Sequence, residues 1–370
     1  MLASSTLFVM IETAYLLVLA GLMVGICHLL PRSPPGRSWT ASLFLVIGFI
    51  LAQGALSVAF TVLGLGPRGP FHEALEHLTD YEGDRPVVLL IGSSFTRAGI
   101  DPEALGENLG TSGRNVVVLP LAIAGAPHLE RFYYLKEYLS TAKRKPQIVL
   151  FEVAGGYDSS PLYQLQQMQF TDRMIAMMDG YSAWWAFRWL FSTDAVGLTT
   201  SVVLGGEILA HLGLHVGHIG FLWNSTRADR PAGHDPSSSP PTLHFSDDEV
   251  ARLIDQAAET RDLKPDWPQN VPSNWMAAFL EEEMSTLQRH GVDRFAFYSV
   301  PSMQGANVAY ARRFCAAMSK FTCIVGEDPQ LLAGLRHGTD WYDFDHLQGD
   351  GRDLFTKWLG DRFVEQGLLP

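Results

Sequence analysis

The sequence predicts an α/β fold: a doubly wound parallel sheet with flanking helices, preceded by two transmembrane helices. Three observations predict it: short apolar runs that alternate with helical patterns, turn residues that bound those runs, and two long apolar runs near the N-terminus. Short apolar runs rich in β-branched residues are typical of strands buried on both faces. Such strands belong to parallel sheets that helices cover.

Five short runs are predicted to be strands because turn residues bound them. They are 87–91 (VVLLI), 115–119 (NVVVL), 147–153 (QIVLFEV), 294–300 (RFAFYSV) and 321–325 (FTCIV), the last with the weakest pattern. Helical patterns occupy 127–143, 306–318 and 351–364. The repeated strand–helix order favours a doubly wound sheet. In the last helix, the residues predicted to face the core are Leu354, Trp358, Leu359 and Phe363.

The N-terminal runs, residues 7–30 and 39–65, are long enough to cross a bilayer as helices. The connector between them carries Arg32 and Arg37, whereas residues 1–6 carry no basic residue. The positive-inside tendency therefore predicts a cytoplasmic connector. We expect the chain to be held in the inner or plasma membrane by two transmembrane helices, with the following domain outside the cytoplasm, in the periplasm.

Composition limits the partners and cofactors. The formal net charge is −12 and no tract is rich in Lys or Arg, so we expect no nucleic-acid partner. No CxxC motif or Cys/His ladder is present, and the sequence predicts neither a metal site nor a cofactor. Cys315 and Cys323 could form a disulfide outside the cytoplasm or remain two free thiols, and the sequence leaves both open.

Two motifs at opposite ends of the predicted domain carry chemistry. The first strand ends in Gly92-Ser93-Ser94, where a strand-to-helix turn would expose the Ser94 hydroxyl near the positive end of a helix. Near the C-terminus, Asp343 precedes His346 by three residues. A serine hydroxyl is a poor nucleophile until a base takes its proton, and a carboxylate orients that base. Asp340 and Asp345 lie nearby, so spacing alone favours Asp343.

These motifs resemble the SGNH/GDSL hydrolase superfamily, in particular a membrane-anchored branch of bacterial cell-surface O-acyltransferases. Gly92-Ser93-Ser94 is similar to the family's Gly-Asp-Ser block, with serine in the aspartate position. The segment from Asp343 through His346 to Leu347 is similar to its Asp-x-x-His-Leu block. The resemblance implies Ser94 as nucleophile, His346 as base and Asp343 as its partner.

The resemblance also implies an oxyanion hole built from the backbone of Ser94 and Gly125 and from a third residue. That third position matches Tyr157, where the family carries asparagine. A side-chain oxyanion donor is worth about 3–4 kcal/mol of transition-state stabilisation. Either the tyrosine hydroxyl substitutes, or the two backbone N–H groups suffice, or the activity is low.

The predicted organisation has a transmembrane hairpin at 1–66, an SGNH-like domain in two pieces at 67–158 and 290–370, and a helical insertion at 159–289. The insertion holds two aromatic or apolar stretches that favour docking on a membrane or a membrane partner. The first stretch is 174–191 and the second is 196–223. The second could lie in the bilayer interface, be buried in the fold, or form a hairpin with the first, because a single crossing would separate Ser94 from His346.

One helix of the insertion carries a polar stripe. Imidazoles one turn apart could share a cation, but such a stripe more often faces water or polar groups of a partner. No metal is therefore predicted there. The stripe consists of Glu207, His211, His215 and His218.

The resemblance implies an extracytoplasmic O-acyltransferase, with acetyl the favoured group, that acts on a cell-envelope polysaccharide or wall polymer through an acyl-serine intermediate. Similar proteins work beside a membrane-bound O-acyltransferase, which is therefore an expected partner together with the lipid bilayer. A membrane-bound carbohydrate esterase is one alternative. A catalytically weak assembly or binding subunit is another, and Tyr157 is the residue that favours it.

Overall fold

The computed structural model describes residue 48 and residues 72–155, 172–192, 198–217 and 243–368, apart from 112, 114, 265, 266 and 268. The predicted transmembrane segments therefore lie outside the described residues, except for Gly48. Among the residues that are described, no helix is both long and apolar enough to cross a bilayer.

Within the described residues, five parallel strands form one sheet, which confirms the predicted α/β fold with a parallel sheet. The spatial order is β2-β1-β3-β4-β5, an order that doubly wound sheets adopt. The chain passes from β1 out to β2 and then returns past β1 to β3. In such sheets ligands bind beyond the carboxyl ends of the strands at this reversal. The strands are β1 (Val87–Gly92), β2 (Val117–Ala122), β3 (Ile148–Glu152), β4 (Arg294–Tyr298) and β5 (Cys323–Ile324).

Helices connect and cover these strands. They are α1 (His72–Thr79), α2 (Ser94–Gly99), α3 (Pro102–Thr111), α4 (His128–Thr141), α5 (Asp172–Met177), α6 (Gly180–Ser192), α7 (Leu198–Gly217), α8 (Asp247–Glu259), α9 (Asn274–Arg289), α10 (Gly305–Ala317), α11 (Pro329–Gly334) and α12 (Gly349–Glu365). A short 3-10 helix, Gly338–Asp340, precedes α12.

Helices pack on both faces of the sheet because successive strand residues point in opposite directions. Leu89 of β1 belongs to a core that includes Phe132 of α4 and Phe279 of α9. The next residue, Leu90, belongs to the opposite core, which includes Phe355 of α12. Both strand residues are fully buried, as the apolar pattern predicts.

Two local predictions differ from the structure. The second strand lies at Val117–Ala122 instead of 115–119 and runs through Pro120, which pairs in register with Leu90. β2 is an edge strand, where a missing proline N–H costs no ladder hydrogen bond. The predicted burial of Leu354 is wrong, because that side chain is 36% exposed and the adjacent Phe355 is fully buried instead.

The insertion packs against the core of the α/β domain. Trp185 and Trp189 of α6 are buried in the same core as the strands. The Trp185 ring packs edge-to-face on Phe279, with ring centroids 5.0 Å apart. The Trp275 indole N–H of α9 donates to the Trp185 carbonyl at 2.9 Å. α5 and one face of α6 are thus buried in the fold, whereas α7, in the second stretch, buries Leu204 and Ile208 and leaves Val202 and Leu209 exposed.

Cys315 at the end of α10 and Cys323 at the start of β5 are bonded as a disulfide, with Cα atoms 5.6 Å apart. The sequence had left this pairing open. The bond joins the last residues of a helix to the edge strand that follows it.

Candidate active site

The turn after β1 presents Ser94. The strand ends at Gly92, and α2 begins at Ser94 with Ser93 as its N-cap, whose hydroxyl accepts from the Phe95 N–H at 3.3 Å. A Cβ at Gly92 would collide with the Thr96 side chain. The turn is therefore tight, and it leaves Ser94 partly exposed while its neighbours Ser93 and Thr96 are buried.

The structure brings Ser94, His346 and Asp343 together. Ser94 Oγ lies 2.8 Å from His346 Nε2, although the two residues are 252 positions apart in the chain. His346 Nδ1 lies 2.8 Å from both carboxylate oxygens of Asp343. Since a carboxylate only accepts, Nδ1 carries the proton and Nε2 faces the hydroxyl as an acceptor. This is the geometry in which an imidazole can remove a serine proton.

Asp343 is built to stay ionised. Burial alone would raise its pKa, but the hydrogen bond to His346, the charge of that imidazole and two backbone N–H groups lower the pKa below its ordinary value. The two backbone donors are those of Asp345, at 2.8 Å, and of His346, at 3.0 Å, and both reach Oδ1. A negative Asp343 can therefore stabilise the imidazolium that forms when His346 takes a proton.

The loop that carries His346 is closed on itself. The Tyr342 N–H donates to the His346 carbonyl at 2.8 Å, and Trp341 forms an antiparallel bridge with Leu347. Trp341 is fully buried, and its indole N–H donates to the Leu335 carbonyl at 2.9 Å. The imidazole orientation is therefore set by a loop that is packed into the core at both ends.

The neighbouring aspartates have other partners. Asp345 accepts from the Ser302 hydroxyl at 2.5 Å, from the Asn307 amide at 3.0 Å and from Gln304, which ties the loop to the segment after β4. Burial raises the pKa of Asp345 above its ordinary value, whereas at Asp343 the hydrogen bonds outweigh burial and the pKa is lowered. Asp340 accepts from the His337 N–H at 3.0 Å and belongs to the short 3-10 helix. Asp343 is thus the aspartate that contacts His346.

Gly125 follows β2 in a turn next to the end of β1. The Ala126 N–H donates to the Ile123 carbonyl at 3.1 Å, and the Ile123 N–H donates to the Gly92 carbonyl at 3.0 Å. Gly125 has φ of +66°, which favours glycine. Tyr157 lies outside the described residues, so its part in an oxyanion hole stays a prediction.

The polar stripe of the insertion contacts backbone carbonyls. Nδ1 of His211 lies 2.8 Å from the Glu207 carbonyl, and Nδ1 of His215 lies 2.8 Å from the Ile175 carbonyl of α5. His218 lies outside the described residues. Within the described ranges, no group of three or more His, Cys, Asp or Glu side chains could hold a metal ion.

Sequence reasoning missed a buried ion pair beneath the Ser94 turn. Glu152, the last residue of β3, accepts from the backbone N–H groups of Ser93, at 2.9 Å, and Thr96, at 2.8 Å, and from both of their hydroxyls. Arg131 of α4 pairs with its carboxylate at 3.2 Å. The signal in the sequence is a glutamate that ends an otherwise apolar strand, because such a residue is seldom fully buried without a partner.

Comparison with protein-family models gave no match, and no curated protein matched the chain. Function is therefore inferred from the geometry of the site and from the resemblance of its motifs.

Replacing Asp345 by alanine is expected to lower the free energy of unfolding by about 1–2 kcal/mol, because partly buried donors lose their acceptor. Urea denaturation measures the change. Asp353→Ala is the matched control, since Asp353 is exposed and its ion pair with Arg352 is 3.6 Å long, and it should change stability by less than about 0.5 kcal/mol. Equal effects of the two substitutions would contradict the anchoring role of Asp345.

Proposed function

We propose that this chain is a membrane-anchored, extracytoplasmic O-acyltransferase of the SGNH type. In this proposal it transfers an acyl group, with acetyl the favoured one, to a cell-envelope polysaccharide through an acyl-Ser94 intermediate. The observation that carries the proposal is the hydrogen bond of 2.8 Å between Ser94 Oγ and His346 Nε2. The resemblance of the sequence motifs and the order of the parallel strands support it.

Acylation would begin when Ser94 Oγ attacks the acyl carbonyl and His346 Nε2 takes the hydroxyl proton. Asp343 stabilises the resulting imidazolium. The carbonyl oxygen becomes an oxyanion, for which the backbone N–H groups of Ser94 and Gly125 are the proposed donors. When the tetrahedral intermediate collapses, the bond to the leaving group breaks, and His346 gives its proton to that group.

Deacylation runs the same steps with a different nucleophile. A sugar hydroxyl attacks the acyl carbon, His346 removes its proton, and the bond to Ser94 Oγ breaks as the serine regains a proton from His346. The products are an acylated sugar and free enzyme. If water attacks instead, the products are a carboxylic acid and free enzyme.

Hydrolysis is the second candidate, because Ser94 and His346 are both partly exposed and water can approach them. The predicted membrane segments favour transfer, because an enzyme held at the membrane can receive an acyl group that has been carried across the bilayer. Those segments, 7–30 and 39–65, lie outside the described residues apart from Gly48. The anchor, its topology and the periplasmic location therefore remain part of the proposal.

Exposed apolar side chains on α6 and α7 support docking on the bilayer or on a membrane-bound O-acyltransferase. Large apolar side chains of this kind mark contact surfaces when they cluster. Their exposed fractions are 62% for Trp184, 81% for Phe191, 68% for Val202 and 58% for Leu209.

A fluorophosphonate probe is expected to label the wild-type protein and to leave Ser94→Ala and His346→Ala unlabelled, because the attack needs both the hydroxyl and the base. His346→Ala should leave thermal unfolding nearly unchanged, since the side chain is partly exposed. Gel fluorescence and a thermal melt measure the two effects. A folded wild-type protein that resists the probe would instead favour the binding-subunit alternative.

Transfer and hydrolysis separate in one assay. With an activated acetyl ester and an oligosaccharide of the envelope polymer, we expect acetylated oligosaccharide to form faster than free acetate, because the acceptor hydroxyl competes with water for acyl-Ser94. Mass spectrometry measures the acetylated oligosaccharide, and a separate assay measures free acetate, which together give the ratio of transfer to hydrolysis. Ser94→Ala is the blank. Acetate as the sole product with every acceptor would assign the protein as an esterase.

A further inference from the structure

The turn that carries Gly125 has two possible orientations of its central peptide. The hydrogen bond from Ala126 to Ile123 closes a β-turn with Ala124 and Gly125 at its centre. Positive φ at Gly125 is what a type II turn requires at its third position. Type I and type II turns differ by a flip of the central peptide, which reverses the direction of the Gly125 N–H.

Arg173 determines which way this peptide points. Its Nη1 donates to the Ala124 carbonyl at 2.7 Å. The Ala124 carbonyl and the Gly125 N–H belong to one planar trans peptide and point in opposite directions. A hydrogen bond that fixes the Ala124 carbonyl therefore also fixes the direction of the Gly125 N–H. Because the donor is charged, it also polarises the peptide and strengthens the N–H as a donor.

Glu130 of α4 holds Arg173 in place. Nη2 of Arg173 donates to one carboxylate oxygen at 2.7 Å, and Nε donates to the other. Glu130 is fully buried and Arg173 is 9% exposed. A two-point contact between arginine and carboxylate fixes the plane of the guanidinium. Since burying such a pair adds little net stability, its position against the turn needs another explanation.

Arg131 contacts the other side of the same turn. Its Nε donates to the Ala126 carbonyl at 2.9 Å, and its Nη1 donates to the Glu152 carbonyl at 3.0 Å. The carbonyls on both sides of Gly125 thus accept from buried arginines, each paired with its own glutamate. Through Glu152, the second of these pairs also reaches the Ser94 turn.

We propose that Arg173, which belongs to the helical insertion, is a positioning residue for the oxyanion hole. It orients and polarises the Ala124–Gly125 peptide so that the Gly125 N–H faces the oxyanion. This inference rests on the proposed function, because it concerns the same site. It gives the insertion a part in the reaction, in addition to any docking surface that it provides.

The test variant is Arg173→Met combined with Glu130→Gln, which removes the contact together with both of its charges. The matched control is Arg312→Met combined with Glu327→Gln. Arg312 is likewise ion-paired with a glutamate and donates to a backbone carbonyl, that of Ala258 at 2.9 Å, but in the described structure it has no hydrogen bond to the Gly125 turn.

We expect kcat for an activated acetyl ester to fall about 10- to 100-fold in the test variant, less than the loss of a whole oxyanion donor, while KM changes by less than about threefold. The midpoint of the pH–rate profile should not move, because Ser94, His346 and Asp343 are untouched. Amide hydrogen exchange at 123–126 should become faster. The control variant should change kcat by less than about threefold and leave this exchange as it is.

Wild-type kcat and unchanged exchange in the test variant would overturn the inference while leaving the proposed function standing. An equal loss of kcat in the control variant would overturn it as well, since the effect would then reflect general stability. A wild-type protein that neither turns over the ester nor reacts with a fluorophosphonate at Ser94 would overturn the proposed function, and the positioning role would fall with it.

Discussion

One buried carboxylate supports the turn that presents Ser94. Glu152 ends β3, the strand beside β1. Its side chain accepts hydrogen bonds from the backbone N–H groups of Ser93 and Thr96, which lie on either side of Ser94. Glu152 is almost completely buried, so it needs compensation, which Arg131 supplies at 3.2 Å. The Tyr298 hydroxyl lies 2.6 Å from the Thr96 hydroxyl and extends the network to β4. Three adjacent strands thereby fix the position of one hydroxyl.

The same constraint explains why the turn has the sequence Gly92-Ser93-Ser94. Glycine is needed because a Cβ would collide with Thr96 and Glu152. Ser93 is fully buried and bonds Glu152 through both its backbone and its hydroxyl, so it serves the turn, whereas Ser94 faces His346. Two adjacent serines therefore have different environments, and only the second is placed to react.

Much of this site could be predicted from the sequence because it depends on local patterns. Apolar runs indicated the strands, a turn motif indicated Ser94, and the spacing to His346 indicated Asp343. The structure places these three side chains in contact, and their catalytic role stays a prediction. The contacts of Glu152 with Arg131 and of Glu130 with Arg173 could not be predicted. The first pair is 21 positions apart in the chain and the second 43, and their contact depends on how the helices pack. The burial of Phe355 in place of Leu354 depends on the rotation of α12 about its own axis. An apolar pattern determines that rotation only to within one residue.

The central claim is that Ser94 becomes acylated because His346 accepts its proton. It is tested most directly by acid-quenching a reaction with an activated acetyl ester and mapping the acetyl group by peptide mass spectrometry. We predict acetyl on Ser94, absent from Ser93, and none in His346→Ala. Acetyl on another residue, or equal acetylation of Ser94 without His346, would contradict the account.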